Sequence, residues 1–309
     1  MIETIELKTA LFVPPHNPAA ILIAQLAEVL RERSSGQLLL RVCHSEQLGT
    51  TAQHYELARS GAADIAYMIH SATPGRFPLT ELAALPPVPD ALAGTDTLQR
   101  MVPGHLQAEH SGVKVLFLAA NAPMAIHSVA PVRSIEDLKG KRVGHTGRVI
   151  AATLEALGAI PVSVMPLQIC AALAKGQIDA TSMTYEAALV VQLAKVAGYS
   201  FELNANTITF GLVMNARRYE ALPSNLRLLV DEVLGASGGR TLAGKLTQAA
   251  AEGRRYMRGA GVAIVEPRAA DKASIEPAIR SMVAAFIAER ERENLPAQSI
   301  YDALKGIQA

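Results

Sequence analysis

The sequence predicts an α/β protein of two lobes. Each lobe is built on a mixed, mainly parallel sheet, with multiple lobe crossings of the chain and one long helix. Three observations predict this. The 309 residues suffice for two lobes of about 150 residues each. Short apolar runs alternate with segments of helical period, the pattern of strand–helix–strand units. The segment 57–64 (LARSGAAD) is echoed by 173–179 (LAKGQID), each ending a helix at Gly and placing Asp before a strand.

Composition narrows the function classes. Half of the residues are hydrophobic, 4% are aromatic, Trp is absent and the net charge is +1. Such a balance gives no footprint for nucleic acid or for an acidic membrane surface. No apolar run reaches the roughly 18 residues of a membrane span. Residues 1–13 carry acids and alternate apolar with polar, which is a strand rather than a signal peptide. An exported protein would have lost its leader ahead of Met1. Cys43 and Cys170 lie far apart, without a second Cys at metal-ligand spacing, and read as buried thiols in different lobes.

Strand 3–13 leads into the rigid turn Pro14-Pro15-His16-Asn17-Pro18, where Asn17-Pro18 opens a helix over 19–33. A strand at 38–43, a helix from Thr50 or Thr51 to Arg59, and a strand at 64–69 follow. Residues 95–110 read as a helix broken near Pro103-Gly104, 114–118 as a buried strand, and 121–128 as an irregular strand leaving the first lobe.

The chain is organised around 134–180. Ser134 and Asp137 form a capping box, and Gly140 stops that turn. A strand starts at 141–143, and Gly144-His145-Thr146-Gly147 is a tight strand-to-helix turn. Residues 148–157 have helical period up to Gly158. A strand at 160–164, a helix at 167–174 and a strand after Asp179 complete the stretch. Beyond it come a helix at 185–196, a short strand at 201–203 and a long strand at 207–215 that returns to the first lobe. A nearly continuous helix spans 226–258, weakened only at 235–239. A strand at 262–265 and helices at 273–292 and 299–307 close the chain. These crossings assign 1–121 plus 210–249 to lobe I and 122–209 plus 250–309 to lobe II, with a ligand cleft between them.

Several short motifs in fixed order carry a family resemblance. They are Gln47-Leu48-Gly49 with Leu57-Ala58, Gly61 and Asp64-Ile65; Pro131-Val132 with Glu136-Asp137-Leu138-Lys139-Gly140-Lys141; Leu157-Gly158-Ala159 with Pro161-Val162; Ala172-Leu173 with Gly176 and Ile178-Asp179; and Asn215 with Tyr219 and Leu222-Pro223. The sequence resembles the extracytoplasmic solute-binding proteins of tripartite ATP-independent periplasmic (TRAP) transporters, the DctP-like family. The resemblance implies a periplasmic-binding-protein-like clam that captures an organic acid in the periplasm and delivers it to TRAP membrane permease subunits. The protein is expected to act as a monomer without a cofactor.

One departure shapes the expected site. In the family, the strand after the Leu-Lys-Gly turn bears an Arg that pairs with the ligand carboxylate. Here that position is Gly144, and Met124 stands where a polar or basic residue is usual. Arg148 is the nearest replacement cation and Arg142 the other candidate. A cation in the first turn of a helix is mildly unfavourable, unless it and the turn's N–H groups face a shared anion. Arg148, with Thr146, Gly144 and Arg142, is therefore the expected carboxylate site, since Arg offers a charge-assisted fork. Phe12, Tyr67, Met68, Phe77, Met124, Met183, Tyr185 and Phe210 are expected to supply apolar walls. His16, Asn17, His70 and Asn121 could fix orientation. Each aromatic or Met also fits plain core packing, and His127 and His145 read as structural. These choices favour a monocarboxylate with an apolar or aromatic portion over a C4-type dicarboxylate.

Enzyme motifs are missing. There is no Gly-x-Ser-x-Gly, Gly-x-Gly-x-x-Gly, Walker loop or His-Glu-x-x-His, and the eight His are scattered. The alternatives are an enzyme or a ligand-sensing module on the same two-lobed scaffold. Turnover of a bound acid would mark the first, and an appended output domain the second.

Overall fold

The computed structural model describes residues 4–306; Glu3 of the first expected strand and Ile307 of the last expected helix lie outside them. The chain divides into two compact units. Unit 1 takes the chain up to Thr80, Ala91–Ala120 and Thr209–Leu246, and unit 2 takes Glu81–Asp90, Asn121–Ile208 and the chain from Thr247 onward.

Unit 1 begins with β1 (Ile5–Leu11), α1 (Pro18–Arg33), β2 (Leu38–Cys43), α2 (His54–Ser60), β3 (Ile65–Ile69), α3 (Ala91–Met101) and β4 (Val113–Ala120). Unit 2 follows with β5 (Ala125–Ser128), β6 (Arg142–His145), α4 (Arg148–Ala156), β7 (Ile160–Ser163), α5 (Ile169–Ala174), β8 (Ala180–Met183), α6 (Tyr185–Val190) and β9 (Tyr199–Phe201). The chain returns to unit 1 in β10 (Thr209–Asn215), α7 (Ala216–Glu220) and α8 (Ser224–Leu234). The last change of unit falls inside α9 (Ala236–Gly259), and β11 (Ala263–Val265), α10 (Ala269–Glu291) and α11 (Ala297–Lys305) finish unit 2.

The unit 1 sheet runs β2-β1-β3-β10-β4, with β1 parallel to both neighbours and β10 antiparallel to β3 and β4. Its core joins Leu7, Leu11, Ile23 and Leu30 to Phe117, Leu212, Val230 and Leu242. The unit 2 sheet runs β11-β9-β5-β8-β6-β7, where β5 is the antiparallel member between β8 and β9. One face packs Val143, Ile150, Leu154 and Phe201; the other packs Ile169, Ile178, Met183 and Met257. The antiparallel strands β10 and β5 enter their sheets at the end where their neighbours finish. The carboxyl ends of the parallel strands in each unit therefore gather Phe12 and His70 beside Phe210, and His145 and Met183 beside Met124. In open α/β sheets that edge is where ligands bind.

Several boundaries differ from the sequence expectation for local reasons. Helix 226–258 is two helices, because Gly235 adopts φ −79°, ψ −147° and closes α8. Within α9, Gly253 lies against the Tyr185 carbonyl, where a Cβ would fall 2.0 Å from the oxygen. Pro103, at ψ 37°, ends the regular part of the third helix as expected, but α3 starts at Ala91 rather than Thr95. Helix 185–196 stops at Val190, since Gln192 takes a left-handed conformation at φ 54°. The strand expected at 201–203 pairs instead over Tyr199–Phe201, and α10 begins at Ala269 rather than 273.

Segment 81–90, which the sequence places in lobe I, clusters with unit 2. Glu81 pairs with Arg290, Asn206 Nδ2 donates to Ala84 O, Tyr301 OH donates to Pro86 O, and Lys305 Nζ donates to Ala83 and Leu85 carbonyls. Both cysteines are free; Cys43 is buried and Cys170 half-buried.

Candidate functional site

In unit 1 the sheet edge is closed by aromatic packing. Phe12 stacks on Tyr67 at 5.2 Å and 5°, and Tyr67 stacks on Phe210 at 5.4 Å and 24°. The three rings follow from register, since β1 pairs with β3 and β3 with β10 at this end. Tyr67, Met68 and Phe77 are fully buried, and Phe210 nearly so. These positions are core packing first, as the alternative reading of each residue allowed. Phe77 lies edge-on to both Tyr55 and His70.

His70 is also buried. Its Nδ1 lies 3.0 Å from Thr209 O, and its Nε2 lies 3.1 Å from Nε2 of His110, whose Nδ1 reaches Leu106 O at 2.8 Å. Burial pushes His70 down to about 3 and His110 to about 4, so both rings are uncharged at pH 7. Asn17 caps α1 by accepting from Ala19 N at 2.9 Å, while His16 is exposed.

In unit 2, Met124 and Met183 are buried at the facing ends of β5 and β8. Asn121 is buried as well; its N–H donates to Ile208 O and its own carbonyl accepts from Thr207 Oγ1. Tyr185 OH donates to Glu202 at 3.0 Å, and Arg254 holds the same carboxylate through two bonds at 2.6 and 3.0 Å. That network ties α6, β9 and α9 together. His127, buried, reaches Ser200 Oγ at 2.8 Å and Met183 O at 3.2 Å, in keeping with a structural histidine.

The expected carboxylate cluster divides. Arg142 sits at the amino end of β6, away from the ligand edge, and forks onto Asp179 at 3.1 and 2.8 Å. It leaves the candidate set, because a bidentate partner already fills its guanidinium. Arg148 does not stand as a free clamp either. Its Nη2 donates to both Glu289 oxygens at 2.9 and 2.7 Å, because α10 packs along α4 and brings that acid over the first turn. Gly144 is buried, and a Cβ there would come within 2.9 Å of Ile178 Cδ1. Even the first atom of a family-type Arg would require Ile178 to shift.

What remains at the β6 edge is the amino terminus of α4. Gly147 is its N-cap residue, and no side chain caps it. The N–H groups of Arg148, Val149 and Ile150 precede the first intrahelical bond, Ala151 N to Gly147 O at 3.0 Å. The helices α1 and α6 open at the same edges of their sheets, yet both are capped internally, by Asn17 and by Thr184. Half-buried Thr146 and His145 flank the open terminus, and burial lowers the His145 pKa so that it adds little charge at pH 7. Aligned N–H groups and the helix dipole favour an anion at such a terminus.

Glu289, Arg290, Glu81, His110 and Thr184 were not singled out from the sequence. Glu289-Arg290 lies in a charge run (AERERE) that reads as a solvated face, and Glu81 in an apolar, Pro-rich run. Among the described residues, no cluster of three or more His, Cys, Asp or Glu side chains is placed to hold a metal ion.

The sequence model of the bacterial extracellular solute-binding proteins, family 7 (DctP), matches residues 10–290. The chain belongs to this family. TRAP solute-binding proteins of known structure share the fold. A TRAP solute-binding protein from Rhodoferax ferrireducens, in complex with copurified benzoate, superposes with TM-score 0.92 at 25% identity, over 98% of this chain and 97% of that one. A TRAP solute-binding protein from a marine metagenome, specific for aromatic acid ligands and in complex with metahydroxyphenylacetate, gives TM-score 0.93 at 25% identity over 98% of both chains. The uncharacterized protein YiiZ of Salmonella typhimurium is 25% identical over 221 residues, 69% of this chain and 67% of that protein. Among the described residues, no helix is long and apolar enough to cross a membrane.

Proposed function

We propose that this family-7 protein captures a monocarboxylate with an aromatic or apolar portion in the periplasm and hands it, as a monomer, to TRAP membrane permease subunits. The observation that carries the reading is the uncapped amino terminus of α4 at the carboxyl end of β6, beside a glycine where the family's ligand-pairing Arg would stand. A helix terminus offers about half an elementary charge, which suits one carboxylate better than two. Buried Met124 and Met183 at the same edge suit an apolar portion. Two relatives at 25% identity carry benzoate and metahydroxyphenylacetate. The family is one of solute-binding proteins, so a stoichiometric complex recovered with its ligand unchanged is expected rather than turnover.

Titration calorimetry of the purified protein tests this with benzoate, 3-hydroxybenzoate and phenylacetate against succinate and malate. Saturable one-to-one binding of the aromatic monocarboxylates is expected. Binding of succinate or malate alone would overturn the reading.

A further inference from the structure

We propose that a small cavity beneath α4 takes a hydroxyl group of the ligand, so that the preferred acid is a ring-hydroxylated one. The proposal rests on the reading of an aromatic monocarboxylate, and not on where its carboxylate sits. The cavity lies inside unit 2, between α4 and the sheet, with walls from Met124, Ile126, Thr153, Leu157, Ser182 and Asn206. Its free volume of about 10 Å³ admits one water-sized group. Met124 stands at the facing ends of β5 and β8, so the cavity adjoins the ligand edge.

Two wall residues carry polar atoms that lack good partners. Ile126 and Ser182 stand opposite each other in the β5–β8 pair and so share one face of the sheet. Ile126 packs there with Ile150 and Leu154 of α4, which places the Ser182 hydroxyl beneath that helix. Ser182 is 4% exposed, and its hydroxyl meets only Met124 Sδ, at 4.0 Å, among the described residues. A thioether is a weak acceptor, so the Ser182 proton has no oxygen or nitrogen to bond. Asn206, also 4% exposed, supplies the complement. Its Nδ2 donates to Ala84 O at 3.2 Å and to Thr153 Oγ1 at 2.9 Å. Thr153 Oγ1 gives its own proton to Val149 O at 3.0 Å, so towards Asn206 it is an acceptor. These bonds fix which end of the amide is nitrogen. No donor meets Asn206 Oδ1 among the described residues.

A donor without an acceptor and an acceptor without a donor thus line a space of one water-sized group. Their chemistry selects the guest. A carboxylate oxygen has no proton for Asn206, and an ammonium has no lone pair for Ser182. A hydrogen or halogen on the ring leaves both unsatisfied. A hydroxyl accepts from Ser182 and donates to Asn206. Water can do the same, and a ligand hydroxyl that reproduces those bonds displaces it without losing them. A site built to bond a hydroxyl discriminates against the analogue that lacks one, because its buried polar atoms are then left unpaired.

Calorimetry of the whole protein tests this with benzoate, 3- and 4-hydroxybenzoate and the matching fluorobenzoates, which have no proton to donate. Two net-favourable hydrogen bonds predict that one hydroxybenzoate binds about tenfold tighter than benzoate, and that its fluoro counterpart does not. Ser182→Ala removes the donor and is expected to bring the hydroxybenzoate-to-benzoate affinity ratio close to one, with thermal melting as the check of folding. Should that variant not fold, the fluoro series on the wild type decides alone. Equal affinity for benzoate and both hydroxybenzoates overturns the inference, as does a fluoro acid that matches its hydroxy counterpart or a preference that survives Ser182→Ala. Benzoate binding in those cases leaves the monocarboxylate reading standing. Failure of every aromatic monocarboxylate to bind overturns that reading itself.

Discussion

The two sheet edges are built from opposite chemistry. In unit 1 the edge is filled by the Phe12–Tyr67–Phe210 stack and the His70–His110 pair, and α1 is capped by Asn17. His70, His110 and Asn17 have internal partners, whereas the buried Nε2 of His54, the ring beside Phe12, has none. In unit 2 the corresponding edge leaves the first turn of α4 uncapped and surrounds it with paired charges, Arg148–Glu289 outside and Arg290–Glu81 inside. The same topological position is therefore closed by ring packing in one unit and left as an uncapped helix terminus in the other. The difference shows why residue type alone is a poor guide to a site. Tyr67 and Asn17 look like ligand contacts until their neighbours are known, whereas the backbone of α4 has no side chain to announce it.

The largest effects should break the unit 1 side. Tyr67→Ala removes a fully buried ring from the middle of the stack and is expected to cost about 3–5 kcal/mol in urea unfolding. A comparable loss is expected in unit 2 from Glu81→Gln, which removes the buried carboxylate paired with Arg290; breaking a buried pair costs about 3–5 kcal/mol. Replacing both partners, as Glu81→Leu/Arg290→Met, should recover most of that loss, because no uncompensated charge is then left inside.

Effects spread over several pH units follow from titration, with an acid window in unit 1 and an alkaline one in unit 2. The buried rings of unit 1 hold folded pKa values of about 3 for His70 and about 4 for His110, below the ordinary 6.5. As pH falls below 6.5 the unfolded chain takes up protons that the folded rings refuse. Stability should then fall with pH, by about 1.4 kcal/mol per unit for each ring at most. His110→Asn should flatten that acid slope. In unit 2, burial lowers the Lys305 ammonium from 10.5 to about 7, and its two carbonyl acceptors match the two hydrogens of a neutral amine. Between pH 7 and 10.5 the unfolded chain carries the extra proton, so stability should rise with pH through that window. Lys305→Met should remove the rise.

The smallest change in stability should accompany the clearest change in binding. Gly147→Asp places a self-capping carboxylate on the α4 terminus, where the extended backbone (φ −177°) accepts any residue. Stability should stay level or rise by a few tenths of a kcal/mol, since Asp is only slightly better than Gly as an N-cap. Benzoate affinity should drop at least tenfold by calorimetry, because the new carboxylate occupies the ligand's seat. Loss of stability without loss of binding would show that the α4 terminus is structural, as its counterparts in α1 and α6 are.

Much of the fold was legible because its signals are local. Asn17-Pro18 marks the start of α1, and Gly61, Gly140, Gly158 and Gly176 hold left-handed conformations at turns and helix ends where the sequence places stops. Pro103 breaks the third helix where expected. What misled was partnership. Arg148 and Arg142 both read as available cations, and each meets a carboxylate far away in sequence, Glu289 and Asp179. Segment 81–90 reads as lobe I because it lies between lobe I strands, yet Arg290, Tyr301 and Lys305 from the far end of the chain bind it into unit 2.

By itself the sequence determined the alternation of strands and helices and the family. Each is written in hydrophobic period, turn residues and motif spacing, which depend on neighbours a few positions apart. Only the tertiary structure decided which charges are available. An ion pair forms between side chains brought within about 4 Å, whatever their separation along the chain. It is therefore the packing of α10 against α4 that neutralises Arg148 and leaves the backbone N–H groups of α4 facing the ligand edge.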